Sequence, residues 1–250
     1  MRNLFDWLLF SSDFSAAALK QGFTSEVLLE TEDGKILAWE REPTQPGPVV
    51  YLSAGIHGDE PAGPLALLEL MESGTFSHCV HWLICPALNP GGLAVGRREN
   101  RAGVDLNRDY LQSRSLETAA HIAWLKRHPV PEIFISFHED WESTGFYFYE
   151  INCGEDCPQR ARAILSAVSE VLPPEPCEVI DGHAVREPGW IFHCAEADLP
   201  DEWPEAIYMA KQGCALSYTL ESPSQASLPE RAKAHMLGFR EIMSQHGLDV

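Results

Sequence analysis

Three runs of apolar, largely β-branched residues constrain this chain more than any other feature: 49–56 (VVYLSAGI), 80–88 (VHWLICPAL) and 132–138 (EIFISFH). Continuous apolarity over that length marks strands covered on both faces, as parallel strands are in α/β proteins. Five further runs, 26–32, 35–42, 146–151, 178–185 and 215–221, bring the strand candidates to eight. The first two of these flank Asp33-Gly34, a hairpin signal. Helical spacing occupies 61–73, 115–128, 157–172 and 203–213. A last helix is predicted over 229–246, with Ser227 and Glu230 as a capping box at its start. Strands alternating with helices predict an α/β sandwich with a mixed, mostly parallel sheet of about eight strands. The Pro-rich stretches 43–48 and 173–176 read as loops inside one domain spanning 1–250.

Composition narrows the function. With 37 acidic against 18 basic residues the chain carries a formal charge of −19, which repels phosphates and argues against nucleic acid or an anionic membrane as partner. No run reaches the 18 or so consecutive apolar residues of a membrane span. Asp6 interrupts the apolar start Met1–Phe10, so that segment reads as a short amphipathic helix on the body rather than an export signal. Seven scattered cysteines suit reduced, buried thiols in a cytoplasm better than a disulfide framework.

In open α/β sheets, functional groups gather beyond the carboxyl ends of the central strands. After the first run stands His57-Gly58-Asp59-Glu60, whose three-residue spacing lets an imidazole and a carboxylate converge on one cation. The spacing alone is unspecific, since it recurs at His193–Glu196, in an irregular Pro-bounded region where no metal is expected. His138 ends another buried run, and with His57 and Glu60 it makes a His₂Glu set that leaves zinc an open fourth position. Arg98, Arg101 and Arg108 cluster in a chain poor in basic residues, suggesting a pocket for an anionic group. Glu221 ends the run 215–221, where a partly buried carboxylate beside a cation site suits a general base.

The ordered set H-G-D-E-P (57–61), N-P-G-G (89–92), R-x-N-R-x-G-V-D-L-N-R (98–108), a strand-end His (138) and T-L-E (219–221) resembles the zinc metallocarboxypeptidase family. The motif-bearing core covers about 49–223, and the style is closest to the small bacterial murein peptide amidases. Aspartoacylase and succinylglutamate desuccinylase are more distant members of that family. The resemblance implies a three-layer α/β/α sandwich with one zinc ion on His57, Glu60 and His138. It implies that Asp105 fixes the His57 ring, and that Asn107 and Arg108 hold a substrate carboxylate. Arg98 would stabilise the oxyanion, and Glu221 would take a proton from the attacking water and deliver it to the leaving amine. The implied reaction is hydrolysis of a peptide or amide bond next to a free carboxylate. Its substrate would be a small peptide, or, in the deacylase alternative, an N-acyl amino acid. A non-catalytic carboxylate-binding module is the remaining alternative.

Departures from the family pattern matter as well. Glu139, Asp140 and Glu142 follow His138 where digestive members have H-S-Y. This acidic cluster reads as solvated surface first, then as a recognition site for a cationic substrate group or as help for a second metal. Where the family has a substrate-capping tyrosine this chain has Leu199, with Tyr208 the nearest tyrosine. Deacylases of the aspartoacylase type carry a further β domain, whereas 29 residues of helical pattern follow Glu221 here. No activation segment precedes the core, which speaks against a secreted zymogen. The stretch 186–204, with its Pro, Gly and Trp, suits a pocket wall.

Overall fold

In the computed structural model, which describes residues 5–248, the apolar runs become the centre of an eight-stranded sheet. Ten strands occur among the described residues: β1 (Thr24–Thr31), β2 (Gly34–Arg41), β3 (Val49–Ala54), β4 (His81–Cys85), β5 (Ile133–Asp140), β6 (Tyr147–Asn152), β7 (Val179–Ile180), β8 (His183–Ala184), β9 (Trp190–His193) and β10 (Leu216–Pro223). The main sheet runs β1-β2-β4-β3-β5-β10-β6-β9. Its centre, β4-β3-β5-β10, is parallel, while β1, β2 and β6 pair antiparallel to their inner neighbours. Helices are α1 (Trp7–Lys20), α2 (Ala62–Glu72), α3 (Pro90–Val95), α4 (Leu116–Leu125), α5 (Pro158–Val168), α6 (Glu205–Lys211) and α7 (Leu228–Gln245).

Alternation along the strands sorts the core into two layers. On one face Val50, Leu52, Ile84, Ile135, Phe137, Tyr218 and Leu220 pack with residues of α1, α2, α5 and α7. On the other, Tyr51, Leu83 and Phe134 pack with Ile122 and Trp124 of α4 and with Tyr208 and Met209 of α6. The result is the mixed, mostly parallel α/β/α sandwich that the sequence predicts. The capping box at Ser227 and Glu230 forms as expected and starts α7. Among the described residues no helix is long and apolar enough to cross a membrane.

Several local expectations need correction. Residues 178–185 are not one strand of the sheet. Asp181 and Gly182, at φ 53° and 81°, turn the chain into the small β7–β8 hairpin, and both left-handed positions suit Asp-Gly. The eighth place in the sheet goes to β9, parallel to β6, in the region read as irregular. The amino-terminal helix extends to Lys20, and Asp6 serves as its N-cap, accepting from the Leu9 N–H at 3.0 Å. Trp7, Phe10, Phe14 and Ala18 form its buried stripe, while the Met1–Leu4 part of the expected helix lies outside the described residues. His138 does not end its strand, because β5 continues to Asp140. Only Cys85 and Cys214 are buried thiols; Cys79, Cys153, Cys177 and Cys194 lie exposed in turns and loops.

Candidate metal centre and its cavity

Parallel register decides where the site forms. His138 on β5 is the cross-strand partner of Glu221 on β10, which in turn faces Tyr147 on β6. One step back, Ser53, Ser136, Thr219 and Tyr149 form a second row on the same face. The small side chains of Ser136 and Thr219 leave space in front of the sheet, beside α6. The space is a cavity of about 390 Å³ lined by His138, Glu221 and Tyr147 of one row and by Ser136, Thr219 and Tyr149 of the other, within the usual range for small-ligand sites.

The turn after β3 brings His57 and Glu60 to this cavity. Gly58 lies so close to the backbone of Gly92 that a Cβ would sit 1.9 Å from its carbonyl carbon, so only glycine fits there. Asn89 stitches the turn in place by accepting from the Gly92 N–H and donating to the carbonyls of Ile56 and Arg98. The N-P-G-G motif therefore holds the His57 turn against the arginine loop. In that loop the Asn100 side chain accepts from the backbone N–H groups of Ala102 and Val104, which folds Asp105 back toward Arg98.

His57 Nδ1 lies 2.6 Å from Glu60 Oε1 and His138 Nδ1 lies 2.9 Å from Glu60 Oε2, all three residues being buried. Two imidazole nitrogens aimed at one carboxylate form a donor set that fits a divalent transition-metal ion. The second nitrogen of His57 faces Asp105 at 3.2 Å, the outer hydrogen bond that orients a ligating imidazole. Arg98 donates through Nε to Asp105 at 2.9 Å, and its Nη1 lies 3.6 Å from Glu60. Burial alone would lower the Arg98 guanidinium, but Asp105 and Glu60 more than offset it. Burial, reinforced by Glu60 and Asp140, pushes the Glu221 carboxyl well above the usual carboxylate range. Asn107 accepts the Glu205 N–H through Oδ1 at 2.9 Å, which leaves Nδ2 to donate, and Arg108 Nη1 donates to the Asn107 carbonyl. Asn107, Arg108, Arg98 and Glu221 all line the cavity with the His57–Glu60–His138 group.

Other expected features fall elsewhere. Glu139 is not solvated; it is buried, paired with Arg231, and accepts the Ala62 N–H at the start of α2. Burial raises it to about 7 despite Arg231. Asp140 lines the cavity and accepts from the Tyr147 hydroxyl at 3.1 Å, and Glu142 lines it too, from an exposed position. Tyr208 cannot cap a substrate, because it is buried in the core against Tyr110. The His193–Glu196 pair does not form, as Glu196 turns outward to Lys211. Sequence reasoning passed over Tyr147 and Tyr149, although the alternating Tyr-Phe-Tyr of β6 already places both on one face.

It also passed over Glu205, a buried carboxylate that accepts from the hydroxyls of Tyr51 and Ser53, each at 2.7 Å. Burial raises it to about 7, against those two hydrogen bonds. A carboxyl raised on folding stabilises the fold fully at pH values below its unfolded pKa, near 4.5. That contribution fades as pH climbs through about 7, by about 3 kcal/mol for a shift of this size. Between pH 5 and pH 8 in the presence of a chelator, Glu205→Gln should therefore lose less stability than the wild type by about that amount. Denaturant midpoints at the two pH values check this, and parallel losses in the two proteins would refute it.

Comparison with known proteins follows the same lines. The succinylglutamate desuccinylase/aspartoacylase catalytic domain family matches residues 46–163. A metallo-carboxypeptidase structure from Burkholderia cenocepacia superposes with a TM-score of 0.73 at 17% identity, covering 95% of this chain and 68% of that one. The chain has a metallo-carboxypeptidase-like fold. A protein of Shewanella amazonensis, provisionally classed as a metallopeptidase, superposes with a TM-score of 0.83 at 22% identity, covering 96% and 93% of the two chains. Carboxypeptidase SOL1 of Arabidopsis thaliana is 33% identical over 100 residues, a stretch that spans 32% of this chain and only 20% of that protein.

Proposed function

We propose that this metallo-carboxypeptidase-like protein is a zinc hydrolase that cleaves a peptide or amide bond next to a free carboxylate, of carboxypeptidase or murein-peptide-amidase type. The observation that carries the reading is a single cavity shared by His57, Glu60 and His138, by Glu221 in register with His138, and by the Arg98–Asn107–Arg108 group. A zinc ion on the first three residues would act as a Lewis acid, polarising the scissile carbonyl and bringing the pKa of a water toward about 7. Glu221 takes the proton of the attacking water and returns it to the leaving amine. Arg98 donates to the carbonyl oxygen as charge develops there. Asn107 and Arg108 hold the substrate's free carboxylate, and Asp105 holds the His57 ring. All seven cysteines are free thiols, which supports a reducing, cytoplasmic setting.

The test is a pool of peptides, murein peptides and N-acyl amino acids incubated with zinc-loaded protein and read by mass spectrometry. Loss of carboxyl-terminal residues, or release of a diaminopimelate-containing fragment, is the expected result. Release of acyl groups instead would establish the second reading, an N-acyl amino acid deacylase, which the family match over residues 46–163 favours. Converting the substrate's terminal carboxylate to an amide should cost about 100-fold in kcat/KM, as charged hydrogen bonds to Asn107 and Arg108 are lost. Equal turnover of free and amidated substrates would remove those two residues from the role.

A further inference from the structure

A second group of metal-ligating side chains lies on the wall of the same cavity, and the proposed reaction does not use it. His183 follows the Asp181-Gly182 turn of the β7–β8 hairpin, His193 ends β9, and Asp198 lies in the segment that follows. The three arrive from separate turns of chain, yet one potential ligand atom from each lies within 4.8 Å of the others. His183 Nε2 is 3.3 Å from Asp198 Oδ2, and His193 Nε2 is 3.6 Å from Asp198 Oδ1. A tetrahedral ion with bonds of about 2.0–2.1 Å holds its ligand atoms about 3.3–3.4 Å apart. We propose that His183, His193 and Asp198 bind a second divalent ion of the zinc class.

Protonation chemistry supports the assignment. His193 Nδ1 faces the carbonyl oxygen of Cys194 at 2.5 Å. A carbonyl only accepts, so Nδ1 carries a proton, and in the neutral ring Nε2 presents its lone pair to Asp198. Two acceptors facing each other repel unless a cation lies between them. The same carboxylate also faces His183, whose ring centroid is 4.7 Å from that of His193. Charging both rings would place two cations side by side against one anion. A single divalent ion satisfies all three donors, and the hydrogen bond from Nδ1 to a backbone carbonyl is the kind that orients ligating histidines. Among the described residues no lysine or arginine pairs with Asp198.

Such an ion would tie the β7–β8 hairpin to the end of β9. The Tyr149 ring stands nearly perpendicular to both histidine rings, with centroids 5.7 and 6.0 Å away, and its hydroxyl donates to Asp181 at 3.4 Å. Tyr149 lies in the row of side chains next to the one that holds Glu221, so the clamp would fix the cavity wall near the general base. The assignment goes beyond the proposed reaction and does not depend on it.

The experiment strips the full chain with a chelator and titrates it with Zn²⁺ against a chromophoric competitor. The wild type should bind two equivalents, and His193→Gln and His57→Gln should each bind one. Because Asp198 is exposed, Asp198→Asn should keep the native far-ultraviolet spectrum while weakening one equivalent by at least about tenfold. One equivalent in the wild type that survives His193→Gln and disappears in His57→Gln would overturn the second site and leave the catalytic reading standing. One equivalent lost in His193→Gln and kept in His57→Gln would uphold the second site and overturn the catalytic metal centre.

Discussion

Glu221→Gln should reduce turnover by about 10²–10⁴-fold while leaving the content of bound metal unchanged. The substitution preserves the shape of the side chain and removes only its ability to accept and return a proton. Its neighbours make the contrast sharp. Glu221 is adjacent to His138 across the strand pair, but the ring nitrogen of His138 that faces the metal group points to Glu60. The ligand set therefore does not need Glu221, and elemental analysis should find the same metal-to-protein ratio in both proteins. Burial together with Glu60 and Asp140 raises the Glu221 carboxyl, the direction that brings a carboxylate closer to the range in which a base works near neutral pH. A protein that only binds carboxylates would keep every property in the variant. Retained turnover with the metal in place would remove Glu221 from the role of base.

Much of this arrangement is legible in the sequence because it follows from short-range rules. Continuous apolar runs announce strands buried on both faces, and the residues just after them, His57 above all, then fall at the carboxyl edge of the sheet. Glu60 follows His57 by three residues on a turn that Gly58 permits, so their convergence is local. Long-range register is harder to read. Nothing in 215–221 states that β10 pairs with β5 so that Glu221 meets His138; the strand-end position and the family resemblance put Glu221 at the same edge of the sheet without giving that register. Features that depend on tertiary packing were missed. Asp181-Gly182 carries the same hairpin signal as Asp33-Gly34, but a two-residue strand on either side is too short to announce itself by alternation. β9 has only four residues, with Gly189 just before it, and it becomes a strand because β6 offers an open edge. In sequence His193 pairs with its neighbour Glu196, whereas its spatial neighbours, His183 and Asp198, are set by that turn and that edge. Glu139 looked solvated beside two other acids, and only the return of α7 supplies the Arg231 that pairs with it.

Arg98→Ala should lower kcat by about 10²–10³, with kcat/KM falling equally and KM little changed. That signature belongs to a donor whose interaction exists only when charge develops on the carbonyl oxygen, and the geometry favours it. Arg98 uses Nε on Asp105, which keeps the guanidinium plane fixed, while its Nη1 lies 3.6 Å from Glu60 and the side chain lines the cavity. Preorganisation of this kind makes a donor more effective than a free side chain, because no reorientation is needed as the oxyanion forms. The competing explanation is that Arg98 acts only as a brace for Asp105, and through it for His57. In that case the alanine variant would bind zinc more weakly, and excess zinc would restore kcat. Asp105 also accepts the Asn107 N–H at 2.9 Å, so its position does not depend on Arg98 alone, and the ion should remain bound. Arg98→Lys separates the two roles further. Lysine keeps the charge but cannot hold Asp105 with one nitrogen while offering others to the substrate, so it should recover only part of the lost rate. Full recovery of kcat by zinc in the alanine variant would reassign Arg98 from the oxyanion to the support of the metal centre.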